Sequence, residues 1–434
     1  MKSLLKISNI FWLDGQFAPL LDGEDPERLK QDLSGVKGQF SLALERKDGS
    51  VVLIRDKHGI NKLFFGIGKD GELWVANYVI DLVSAGIAFE SIYSVPSGHF
   101  VEIDSAAQSL KLTRYYSPTM AVESEASLEQ QAVQIRAALE QWFERLSERF
   151  RDHQVCLCLS GGLDSSLIAA LAVKYFPSVS AFTYSFVSPG HAESEDAIYA
   201  RRIAEHLKIP FNFIPATRED ILSALDRALV YGQDWRDFNL HCAIVNEFLA
   251  RHMAAWRKKD PARGKVLVLT GDMMNEIVAD YSPITYKGQE YYSLPDLDFD
   301  KLRLVLVKGL DTGDREVGVF ARHGIDLVQV YGLVVDEYLK VPSAEIEEPG
   351  AKNKLVRAIA SDLLPDFLFN RQKVRAQIGT SDEPTGILPC LVDAGYTSDV
   401  LAEAWKKKFS IESDNVLRQF IRAGFYRVAT KYPK

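Results

Sequence analysis

Cysteine is scarce in this 434-residue chain: Cys156, Cys158, Cys242 and Cys390 are too few and too scattered for a disulfide framework. Cys156 and Cys158 alternate with Val155, Leu157 and Leu159 in an apolar run, which reads as buried core thiols. A metal pair would be spaced more widely and sit on loops. No apolar stretch approaches the ~20 residues that span a bilayer, and residues 1–14 carry no signal-peptide pattern. The expectation is a cytoplasmic protein with no membrane partner. A basic surplus is missing as well: the formal net charge of -8 argues against a general nucleic-acid binder and leaves room only for a local basic pocket. There is no internal repeat, and no low-complexity segment beyond 345–350. The remainder, 47% hydrophobic and 25% charged, is ordinary for a globular chain long enough for two domains.

The first ~120 residues read as strands. Short apolar or alternating runs at 40–44, 51–54, 63–66 and 73–76 are separated by turn signals at 47–50 and 68–71, a spacing that suggests antiparallel hairpins. The period changes over 127–150. There Ala132, Ile135, Leu139, Trp142, Phe143 and Leu146 mark one face of an amphipathic helix, with Ser127 as its N-cap and Glu129 close behind. Beyond it strands and helices alternate: strands at 155–159, 179–186, 211–214 and 265–270, helices at 165–175, 193–207 and 218–231, and a helix start near Met274. Such alternation predicts an α/β fold, a parallel sheet covered by helices on both faces, whose ligands sit at the carboxyl ends of its strands.

Leu159, Ser160, Gly161, Gly162, Leu163, Asp164, Ser165 and Ser166 lie at such an end. Two glycines let the backbone turn tightly and approach an anion without Cβ interference. The N–H groups at the helix start, with the Ser160 and Ser165 hydroxyls, make a cradle for phosphate. Asp164 would repel a phosphate unless a cation intervened, so its natural role is to hold Mg²⁺. A glycine turn with a serine helix cap explains any two of these residues but not the whole set.

The Ser-Gly-Gly-x-Asp-Ser-Ser run after an apolar strand resembles the pyrophosphate loop of the N-type ATP pyrophosphatases. That resemblance implies cleavage of ATP between the α and β phosphates to give an adenylated intermediate. Flanking segments look like the asparagine synthetase and β-lactam synthetase branch. Residues 269–276 (Leu-Thr-Gly-Asp-Met-Met-Asn-Glu) resemble its Ser-Gly-Glu-Gly-Ala-Asp-Glu segment. By that match Thr270 and Gly271 lie near the nucleotide with Ser185, and Asp272 takes the position of the catalytic carboxylate. Asn275 replaces a magnesium-binding Asp, with Glu276 available to compensate. Asp314-Arg315 and 322–326 are similar, imperfectly, to further segments of that branch. Lys352, 354–357 and 371–373 resemble its C-terminal helical stretch, where a lysine reaches back to the phosphates. Lys373 is the candidate, a cation offsetting charge on leaving pyrophosphate.

Residues 33–40, 55–59 and 62–65 look like the middle of the glutaminase domain of class II amidotransferases. That domain uses an N-terminal cysteine as nucleophile, and here residues 1 and 2 are Met1 and Lys2. The expectation is a smaller, truncated, mostly-β domain of the Ntn type over 1–120, without glutamine hydrolysis, ahead of a synthetase domain over 127–434. The resemblance implies an AMP-forming ligase for specialised biosynthesis that needs ATP and Mg²⁺. A carboxylate would be coupled to an amine or to ammonia from outside, with Asp272 as the proton acceptor, paired with a tyrosine such as Tyr281. The expected partners are these two small molecules, with a homodimer or an external ammonia source. Intramolecular ring closure and a non-catalytic ATP-binding homologue stay open as alternatives.

Overall fold

Runs such as Val155 to Leu157 and Val266 to Leu269 have apolar side chains on both faces of a strand, so both faces must be covered. In the computed structural model they are the middle of a five-stranded parallel sheet. The structure describes residues 1–7, 11–13, 26–120, 126–188, 190, 193–309, 313–348, 350–371, 385–413 and 426–433. Across the sheet the strands run Phe211–Ala216, Val179–Phe186, His153–Cys158, Lys265–Thr270 and Asp326–Gln329. In chain order that is 3-2-1-4-5. The order reverses between His153–Cys158 and Lys265–Thr270, and at such a switch point the loops leaving the two strands part to either side and open a crevice. The phosphate-loop candidate leaves one of these strands and Asp272 follows the other.

Helices cover the sheet. Leu128–Arg149 packs on Leu163–Tyr175 and Ala351–Ala360, while Arg218–Tyr231 packs on Asp237–Lys258, which lies against the strands Val179–Phe186 and Phe211–Ala216. Leu128–Arg149 buries Ala132, Ile135, Leu139, Trp142, Phe143 and Leu146, the face that its spacing marks out. Ser127 caps it through Gln130, not Glu129: the Ser127 side chain accepts from the Gln130 N–H while the Gln130 side chain returns to the cap backbone. The strand Asp326–Gln329, only four residues long, and the helix Asp237–Lys258, which buries Leu240, Ala243, Ile244, Phe248 and Met253, add to the elements that the sequence reading marks out.

The N-terminal region holds two four-stranded sheets. One orders Lys2–Leu4, Leu73–Ala76, Phe64–Ile67 and Ile92–Ser94; the other orders Ser109–Arg114, His99–Asp104, Val51–Arg55 and Ser41–Glu45. The expected antiparallel hairpins are there, Ser41–Glu45 with Val51–Arg55 and Phe64–Ile67 with Leu73–Ala76. Leu53, Phe65, Val75, Val101 and Ile103 from the two sheets share one core. The last described stretch returns to this region: Tyr426 stacks edge-on against Phe64 with ring centroids 5.0 Å apart, and the Arg427 carbonyl accepts from the Ser94 N–H.

Side chains stitch the two regions together. Gln39 acts as a surrogate strand neighbour for Asp326–Gln329: its Nε2 donates to the Leu327 carbonyl at 2.8 Å and its Oε1 accepts from the Gln329 N–H at 3.3 Å. The Tyr78 hydroxyl donates to the Gly318 carbonyl, and Arg322 pairs with Asp81 at 2.6 Å. Gln39→Ala would leave two buried backbone groups unsatisfied, at a cost on the order of 1–3 kcal/mol. Chemical denaturation should show that loss; a wild-type midpoint would mean that water takes over both bonds.

Candidate functional site

Gly161 has φ +68°, and a Cβ there would lie 2.4 Å from the Ala200 N and 2.7 Å from the Tyr199 C. The chain therefore turns tightly at the end of His153–Cys158 and starts a helix at once, with Gly162 as N-cap of Leu163–Tyr175. The Ser165 hydroxyl ties the loop together, accepting from the Ser160 N–H at 3.2 Å and lying 3.0 Å from the Ser160 Oγ. The Leu159 carbonyl accepts from the Thr183 hydroxyl at 2.7 Å. The turn after Lys265–Thr270 is pressed onto this loop: a Cβ on Gly271 would sit 2.7 Å from the Ser165 N. Only glycine lets the two strand ends approach so closely.

A cavity of about 200 Å³ opens at the switch point, lined among others by Leu159, Ser160, Asp164, Ser165, Thr270, Gly271, Asp272 and Asn275. Eight of the sequence's site residues are thus brought together. Ser166 and Ser185 are fully buried and do not line the cavity. The Ser185 hydroxyl instead accepts from the Ser194 N–H at 2.8 Å and fixes the start of the helix Glu195–Leu207. Lys373 lies outside the described residues. Its neighbour in sequence, Arg371, pairs with Asp196 beneath the loop and donates to the Ser160 carbonyl at 3.3 Å. Burial pushes Asp196 up to about 6 even with Arg371 beside it.

Asp272 does not cap the following helix. The N-cap is Met273, whose left-handed backbone (φ 81°) is the conformation a glycine favours, and the resembled segment has glycine there. The Asp272 carboxylate is gripped by the fork of Arg315, with both Nε and Nη2 at 2.7 Å. Arg315 also pairs with Glu276, which accepts from the Tyr281 hydroxyl. Tyr281 is thus linked to Asp272 through Glu276 and Arg315. Burial raises the Asp272 carboxyl above its ordinary range, against the opposing pull of Arg315. Glu316 sits behind this cluster, accepting from the Thr270 hydroxyl at 2.8 Å and from Gln329 at 2.9 Å. Burial, then the nearby Asp272, pushes its carboxyl up to about 8. The resemblance marks Arg315 but not its role, and Glu316 escapes sequence reading, because both lie some forty residues downstream and meet Asp272 only through the fold.

The expected metal ligands do not converge. Glu276 is turned to Arg315 and Tyr281, since a buried carboxylate needs a cation or donor and those two supply it. Asp164 and Asn275 do face one point, but the Lys352 ammonium occupies it, 2.6 Å from the Asp164 Oδ2 and 2.6 Å from the Asn275 Oδ1. The Asp164 Oδ1 is buried with no hydrogen-bond partner, and one such oxygen is not a cage. Among the described residues no three His, Cys, Asp or Glu side chains group to hold a metal ion.

Residues 134–299 match the family model described as asparagine synthase. That match takes in a little over a third of the chain. The glutamine-hydrolyzing asparagine synthetase of Brassica oleracea is 28% identical over 251 residues, covering 56% of this chain and 40% of that protein. Asparagine synthetase 2 of Lotus japonicus is 25% identical over the same length and shares. The matched part is thus well under half the length of these relatives. NMN synthetase from Francisella tularensis, a solved structure, aligns over 68% of this chain and 92% of its own with 14% identity and a TM-score of 0.31. The matched stretch includes residues 159–166 and Asp272 to Tyr281 but stops before Arg315, Glu316 and Lys352. No helix among the described residues is long and apolar enough to cross a membrane.

Glu316 makes a pH prediction. Its folded pKa lies above its unfolded value of roughly 4.3, so the folded state holds more protons between the two and stability falls as pH rises from about 4.3 toward about 8. Glu316→Gln removes this titration and should flatten the decline in thermal midpoint between pH 6 and 9. An unchanged slope would show that Glu316 is ionised in the fold.

Proposed function

We propose that the chain is an ATP-dependent amide-forming ligase that releases AMP and pyrophosphate, joining a carboxylate to an organic amine. The observation supporting this is that two cavities meet at Asp272. The smaller, about 200 Å³, is the phosphate-loop crevice. The larger, about 480 Å³, lies on the other side of Asp272 and is walled by Ile60, Phe238, Tyr281, Val305 and Leu306, with Arg315 and Glu276 at its inner end. An asparagine synthase domain with a nucleotide crevice and a second chamber sharing one carboxylate suits a two-substrate reaction on an adenylate.

In this reading the phosphates of ATP rest on the N–H groups that open the helix Leu163–Tyr175. The substrate carboxylate attacks the α-phosphorus, the bond to the bridging oxygen breaks and pyrophosphate leaves. Lys373 remains the cation assigned to that leaving charge. The amine then attacks the acyl carbon, AMP departs, and the amine proton passes to Asp272. A carboxyl raised by burial is a better base than a solvated one. Arg315 fixes its position through two bonds and shields it from the other carboxylates. The second chamber argues for an organic acceptor, since ammonia needs only about the volume of one water, roughly 30 Å³.

Asp272→Asn should leave ATP affinity near wild type but lower amide formation by on the order of 10²–10⁴, the usual range for loss of a general base. Pyrophosphate exchange and product formation measured side by side check this; wild-type product formation would reduce Asp272 to an ion-pair partner of Arg315. ADP in place of AMP would overturn the reaction class. Leu306→Trp fills the second chamber and should raise KM for a bulky amine about tenfold or more while leaving turnover with ammonia intact. Equal effects on both would show that the chamber does not select the nucleophile.

A further inference from the structure

Lys352 is the second residue of the helix Ala351–Ala360, whose N-cap is Gly350 in its left-handed conformation. A cation in the first turn of a helix opposes the helix dipole, and a lysine whose side chain is only 12% exposed is costly to bury. Its position is nevertheless tightly determined. The ammonium is bonded to Asp164 at 2.6 Å and Asn275 at 2.6 Å and lies 3.3 Å from Asp280. Three segments meet there: the 160–165 loop, the stretch after Lys265–Thr270 and the helix Ala351–Ala360.

We infer that Lys352 is a built-in cation that takes the place of a protein-held divalent ion beside the phosphate loop and carries part of the charge neutralisation of bound pyrophosphate. Asp164 and Asn275 are the residues expected to hold magnesium. Their oxygens instead converge on a lysine, and the third expected ligand, Glu276, points elsewhere. A lysine is a compact point charge of the kind that binds phosphate in other loops. The Asn at 275 fits the lysine: a carboxylate there would give the ammonium a third negative neighbour, whereas the amide oxygen accepts its hydrogen bond without adding charge. The inference rests on the ligase reading for its pyrophosphate, but its metal-binding arm stands apart from any turnover.

The test uses the intact chain, stripped of metal and free of nucleotide. Binding of Mn²⁺, followed by the paramagnetic signal of the free ion, should be absent for wild type and for Lys352→Arg. The double variant Lys352→Ala/Asn275→Asp should bind one Mn²⁺ per chain, and adding Asp164→Asn should abolish it. Inorganic pyrophosphate, titrated by calorimetry in EDTA, should bind wild type and lose at least about tenfold in affinity in Lys352→Met. Lys352→Gln, which keeps a donor toward Asp164, substitutes where the methionine variant does not fold. A wild-type Mn²⁺ site that Asp164→Asn removes, a folded double variant that binds no Mn²⁺, or pyrophosphate affinity indifferent to Lys352 each overturns the inference. Failure of the ligase reading looks different: ATP is not converted to AMP, while the Mn²⁺ comparison still decides the role of the lysine.

Discussion

The contact on which the rest depends is between two strand ends, where Gly271 lies against the backbone of Asp164 and Ser165. Parallel pairing of His153–Cys158 with Lys265–Thr270 sets both strands to end at the same level. The reversal of strand order at that pair sends the following loops apart and leaves a crevice. A side chain on Gly271 would force the two turns open, and the 160–165 loop would no longer face Asp272. The chemistry assigned to the site thus rests on backbone packing before it rests on any charge.

Charge then organises what packing brings near. Asp164, Asp272, Glu276, Asp280 and Glu316 crowd around the switch point, and such a cluster would repel itself without compensation. Arg315 forks between Asp272 and Glu276, Lys352 serves Asp164 and Asp280, and Glu316 escapes by holding its proton to about pH 8. Three devices deal with one problem, and each leaves a different group available: Asp272 a positioned carboxylate, Lys352 a cation beside the loop, Glu316 a neutral prop under Thr270.

The N-terminal sheets contribute through specific contacts. Arg55 is fully buried and donates to the carbonyls of Asn61, Val95 and Gly59, while Asp56 accepts from the N–H groups of Ile60 and Asn61. Together they freeze the 56–62 loop, which supplies Ile60 and Lys62 to the larger cavity. Gln39 braces the outermost strand of the parallel sheet. The region shapes the second chamber and steadies the element that carries Gln329.

The alternation of strands and helices, the parallel sheet, and a tight glycine turn that opens a helix over 159–166 were all legible in the residues, because periodicity and glycine-serine spacing are local properties. Resemblance to a known segment also pointed to Thr270, Gly271, Asp272 and Asn275, which line the same cavity as that turn. Local pattern could not say which way side chains turn once the segments meet. Glu276 leaves the expected metal set because Arg315, about forty residues on, offers it a better partner; Ser185 turns to the Ser194 backbone instead of the crevice. Lys352 lies 188 residues from Asp164 in sequence yet its ammonium sits on the Asp164 carboxylate. Sequence fixed which groups could bind phosphate and move protons, since that follows from residue type and short-range spacing. Only the tertiary structure decided which of those groups remain free to do so, because pairing of buried charges is settled between residues that the chain keeps far apart.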